Sequence, residues 1–86
     1  MNSNLLFQTD PEYPPLAREA RIQGIVIIEI RIGKEGAVES TNVLSGHPLL
    51  TQAAVDCVKK WRYRPTLLNG DPIDVLATVT VKFRLP

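Results

Sequence analysis

From Ile73 to Leu85 the chain alternates almost without interruption between apolar and polar side chains. Val75, Ala77, Val79, Val81, Phe83 and Leu85 share one parity, while Thr78, Thr80, Lys82 and Arg84 share the other. Successive side chains of a strand point to opposite faces, so this stretch has one apolar and one wet face. That pattern belongs to an antiparallel sheet covered on one side only. A second strand is expected over residues 25–32, β-branched almost throughout, with Val26, Ile28, Ile30 and Ile32 facing the core. Gly33-Lys34-Glu35-Gly36 then has the composition of a hairpin connection. The return strand, about 37–44, breaks strict alternation because Val38 and Val43 have opposite parity. A bulge between them would let both face inward.

Two helices complete the reading. Tyr13-Pro14-Pro15 suits a first helical turn, and Leu16 and Ala20 lie four apart on one face of a short helix over 13–21. Pro48 opens a second helix expected to run to about Arg62. Leu50, Ala53, Ala54, Cys57, Val58 and Trp61 form its apolar stripe, opposite Gln52, Asp56, Lys59 and Lys60. Lys59, Lys60 and Arg62 would complement the dipole in the last turn, Asp56 would pair with Lys60, and Pro65 would end the helix. Trp61, Tyr63, Ala54 and Val58 are the expected core pins. Asn69-Gly70-Asp71-Pro72 is a turn signal before the last strand.

The length of 86 residues with 44% hydrophobic content allows one domain around one core. The expected fold is α+β, a two-layer sandwich in the order α-β-β-α-β. Three antiparallel strands carry both helices on one face, and the second and last strands flank the first. Residues 1–12 form an N-terminal arm that docks through Leu6 and Phe7, and residues 13–86 form the domain.

Most function classes find no support. Ten Lys and Arg stand against nine Asp and Glu, a net charge of +1, so no field exists to gather nucleic acid or anionic lipid. The cluster of Lys59, Lys60, Arg62 and Arg64 around Trp61 and Tyr63 reads as a helix end over a buried ring. Cys57 is the single cysteine, excludes an intrachain disulfide, and falls on the apolar stripe. His47 is the single histidine, and its place before Pro48 suits a helix cap. The carboxylates are dispersed, metal-ligand spacing is absent, and Gly33 to Gly36 lacks the Lys and following helix of a phosphate loop. No enzyme, cofactor or metal is expected. Leu5-Leu6-Phe7 is too short for a membrane span of about 20 residues.

The long last strand lacks an internal proline and presents unpaired backbone groups, which makes it a dimer seam, a docking rail for an extended peptide, or an edge blunted by Lys82 and Arg84.

Taken in order, Tyr13-Pro14-x-x-Ala17, Gly24-x-Val26-x-Ile28, Gly36-x-Val38, Val43-Leu44-Ser45-Gly46, Leu50-x-x-Ala53-Ala54, Trp61-Arg62-Tyr63-x-Pro65, Asn69-Gly70-x-Pro72 and Val79-x-Val81-x-Phe83 resemble the C-terminal domain of the TonB family over about residues 11–85. The resemblance implies the periplasmic domain of an energy transducer in Gram-negative bacteria. In that family an inner-membrane helix works with the proton-driven ExbB and ExbD motor, and the C-terminal domain grips outer-membrane transporters. The grip forms when a transporter's extended TonB box adds as a strand to the last strand. Carried onto this chain, the partner-strand residues are Val75, Leu76, Ala77, Thr78, Val79, Thr80, Val81, Lys82 and Phe83, with Glu12, Tyr13 and Pro14 beside the box. The resemblance also implies that the natural protein carries its membrane anchor and proline-rich linker in a segment not present in this chain. The alternative expectation is an interaction module, structural or signalling, that forms a homodimer through its last strand.

Overall fold

The strand over residues 24–32 is the one around which the molecule is built, because both of its edges are paired. A computed structural model describes residues 5–86. The first four residues of the expected arm, 1–4, lie outside the described residues. The elements are β1 (Leu5–Phe7), α1 (Pro15–Glu19), β2 (Gly24–Ile32), β3 (Val38–Ser45), α2 (Pro48–Val58), β4 (Arg62–Tyr63), β5 (Thr66–Leu68), β6 (Asp71–Ile73) and β7 (Val75–Phe83).

The principal sheet has the order β3-β2-β7 and is antiparallel throughout, as the alternation patterns require. Between β2 and β7 the register runs unbroken from Gly24 opposite Phe83 to Ile32 opposite Val75. Between β2 and β3 it slips twice. One slip passes over Glu39, and this is the expected bulge: it sets Val38 opposite Ile32 and Val43 opposite Ile28, both on the inner face. Val38 packs against the core, whereas Val43 keeps 37% exposure. The second slip passes over Leu44.

The inner face buries Val26, Ile28 and Ile30 from β2 with Val79, Val81 and Phe83 from β7. Helix α2 covers them with Leu50, Ala54, Cys57 and Val58. Burial of each large side chain stabilises the fold by roughly 1.5–3 kcal/mol. His47 caps α2 through Nδ1, which accepts the Leu49 N–H at 3.0 Å.

Several local expectations are corrected. Helix α1 buries Ala17 and leaves Leu16 66% exposed. It spans only Pro15–Glu19 and is capped by Ala20, so no face long enough to use Leu16 and Ala20 together exists. Helix α2 ends at Val58, not near Arg62. Lys60 N–H and Trp61 N–H donate to the carbonyls of Cys57 and Val58, which closes the helix with tight turns. Arg62 and Tyr63 then become a strand, paired with β1 and held by Tyr63 N–H donating to the Gly36 carbonyl at 2.9 Å. Lys59, Lys60 and Arg62 are therefore outside the last turn and Pro65 is not the terminator, although the Arg62 guanidinium does donate to the Lys59 and Trp61 carbonyls. Asp56 accepts from Gln52 Nε2 at 2.9 Å, and Lys60 is not its partner.

The arm enters as β1, with Leu5 packed against the core and Leu6 and Phe7 more than half exposed. Lastly, the expected single strand over 73–85 is two strands divided at Asp74. Asn69 and Gly70 take φ of 52° and 86°, folding β6 back on β5 with Leu68 opposite Asp71. Positive φ at both positions is the two-residue hairpin geometry that Asn-Gly favours.

Candidate functional site: the free edge of the last strand

Strand β7 pairs on one side only. Its second edge has no strand partner among the described residues. The buried side chains of Val79, Val81 and Phe83, with Val75 and Ala77 packed beside them, hold the strand in one register. The opposite parity faces outward, with Leu76 68% exposed and Thr78, Thr80 and Lys82 also in solvent. Backbone donors and acceptors along such an edge are a template for another strand, and no proline interrupts Val75–Phe83. The other edge of the sheet, β3, is a poorer template because its two register slips distort the ladder.

The site has a second wall. Gln8, Thr9, Asp10 and Pro11 line a cavity of about 310 Å³ together with Trp61, Thr80, Val81 and Lys82. Side chains of consecutive strand residues alternate in direction, so Thr80, Val81 and Lys82 can share one cavity only at the strand's edge. The arm is tied there by the Thr9 carbonyl, which accepts the Trp61 indole N–H at 3.3 Å and the Cys57 thiol at 3.1 Å. Sequence reasoning gave residues 8–11 no place beside the edge. The available signal was Trp61 itself, since a buried indole N–H needs an acceptor.

The residues flanking the Tyr-Pro motif divide between two surroundings. Tyr13 stands edge-to-face on Phe83 with ring centroids 5.6 Å apart, donates its hydroxyl to the Ile22 carbonyl, and lies beneath the Arg18 guanidinium. It thereby anchors the C-terminal end of β7. Glu12 and Pro14 instead line a cavity of about 530 Å³ against α2, with Gln52, Asp56 and Lys60. Of the expected core pins, Ala54, Val58, Trp61 and Tyr63 are all buried. The Tyr63 hydroxyl has no hydrogen-bond partner among the described residues, and burial pushes its pKa above the usual 10.0.

Among the described residues, no group of three His, Cys, Asp or Glu side chains is placed to hold a metal ion. No helix among them is long and apolar enough to cross a membrane.

Residues 9–85 match the family model described as the Gram-negative bacterial TonB protein C-terminal. The chain belongs to this family. It is 32% identical over 80 residues to Protein TonB of Vibrio cholerae, an alignment that covers 91% of this chain and 33% of that protein. With Protein tonB2 of Pseudomonas aeruginosa it shares 31% identity over 86 residues, covering 98% of this chain and 32% of the relative. The solution NMR structure of the Pseudomonas aeruginosa TonB CTD superposes with a TM-score of 0.77 at 25% identity, over 94% of this chain and 84% of that one. The chain spans about a third of the length of the curated relatives it matches. The ordered motifs running from Tyr13-Pro14 through Trp61-Arg62-Tyr63-x-Pro65 to Val79-x-Val81-x-Phe83 thus identified the TonB C-terminal family correctly, and the three-stranded sheet with two helices is the fold expected of it.

Proposed function

We propose that this domain is the periplasmic, partner-gripping part of a TonB-type energy transducer, and that it binds the extended TonB box of an outer-membrane transporter as an added strand on β7. The carrying observation is the unpaired edge of β7, nine residues long and locked in register against β2. In strand addition, main-chain hydrogen bonds supply affinity and neighbouring side chains supply selectivity. No covalent chemistry is required, and a strand held by several backbone bonds can carry a pull. Membership of the TonB C-terminal family supports the reading, with ExbB and ExbD as the motor partners of the whole protein and nutrient uptake, such as that of an iron siderophore, as its outcome. Titration with a TonB-box peptide at millimolar concentration should move amide resonances along β7, those of residues 75–79 at the least. Resonances that stay still would reject the reading.

The same free edge supports a second reading, in which β7 of one copy pairs with β7 of another. Sedimentation distinguishes the two: a peptide-insensitive dimer favours self-pairing, and a monomer that binds peptide favours the transporter.

A further inference from the structure

We propose that residues 5–11 form a releasable strap over one end of the β7 edge, so that an added strand seats first along residues 75–79 and extends through Lys82 only when the strap lifts. This rests on the strand-addition reading above. The cavity between the strap and residues 80–82 is about 310 Å³. A strand running past Thr80 would have to share the space that residues 8–11 wall, whereas residues 75–79 do not line it.

The attachments of the strap suit release. Its main-chain tie is the Thr9 carbonyl, held by one 3.3 Å indole bond and one thiol donor, and a thiol is a weak donor. Its outer end is a strand of three residues whose register already slips between Leu5 and Phe7. Of its three apolar side chains only Leu5 packs on the core, and Leu6 and Phe7 face solvent. Segments with few buried contacts open at free energies well below global unfolding. If the strap is open in only a tenth to a third of molecules, the apparent affinity for a strand spanning the whole edge falls by about three- to tenfold.

The test compares the unaltered chain with Leu5→Asp, which removes the apolar anchor at the periphery, and Trp61→Phe, which removes the indole donor while keeping a ring. Without peptide, the edge-facing amides among residues 80–82 should exchange several-fold faster in both variants, with those of residues 75–79 unchanged. With a TonB-box peptide, both variants should bind about three- to tenfold more tightly, and shift changes confined to residues 75–79 should extend through Lys82. Equal exchange, or equal affinity with shifts already reaching Lys82 in the unaltered chain, would overturn the strap. Should Trp61→Phe unfold, Leu5→Asp alone decides. Faster exchange in variants that bind no peptide, with no shift anywhere along residues 75–83, overturns the strand-addition reading and the strap's role together, whereas binding without any difference overturns the strap alone.

Discussion

Tyr63 holds a buried hydroxyl with no hydrogen-bond partner among the described residues. An unsatisfied buried polar group forfeits its hydration, so Tyr63→Phe should be neutral or up to about 1 kcal/mol stabilising in chemical denaturation. The same burial raises the phenol pKa in the folded state. Above the ordinary value the unfolded chain loses this proton while the folded chain keeps it, so stability is complete below that pH and declines as pH rises past it. Thermal melts across pH 9 to 11 should show less alkaline loss in Tyr63→Phe than in the unaltered chain. Gly36 faces the opposite constraint. Its φ is +88°, and an added Cβ would collide with the Tyr63 carbonyl, which is backbone and cannot rotate away. Gly36→Ala should therefore cost at least about 2 kcal/mol, from the left-handed conformation and the overlap together, measured as a lowered denaturation midpoint.

At the scale of the element, α2 is fastened at its start by a histidine side chain. His47→Ala frees the Leu49 N–H and should cost about 1 kcal/mol, seen in the denaturation midpoint with the fold retained. His47 was legible as a cap from its place before Pro48, and the faces of β2 and β7 were legible from period-two alternation. The bulge was also readable, because Val38 and Val43 had to be reconciled across a parity break. The end of α2 was not. The spacing of Ala54, Val58 and Trp61 continues the helical stripe, and nothing local says that Arg62 and Tyr63 have a better offer from Gly36 and Leu5, far away in sequence. For the same reason the β5–β6 hairpin stayed hidden: Ile73 keeps the parity of β7 although its partner is Thr66. The free edge of β7 followed from strand order, while the strap beside it depends on a long-range bond from Trp61 to Thr9.

The molecule is elongated, 49 × 21 × 18 Å, and among the described residues its principal sheet has one unbroken free edge on β7 and one kinked edge on β3. One usable edge implies one seat. Sedimentation or calorimetry should give a 1:1 complex with a TonB-box peptide, and if two copies also pair through β7, apparent peptide affinity should weaken as protein concentration rises. A net charge of +1 predicts no appreciable retention on nucleic acid even at low salt, which a mobility-shift assay would check. The β5–β6 hairpin belongs to none of these surfaces. It is a separate two-stranded sheet whose tip, Asn69 and Gly70, is exposed and has open space around Gly70. Exposed tips of this kind accept insertions. A fluorophore or a whole reporter domain could be grafted there and would ride on the domain as a handle, registering its rotation and reach in a living cell while both sheet edges stay clear.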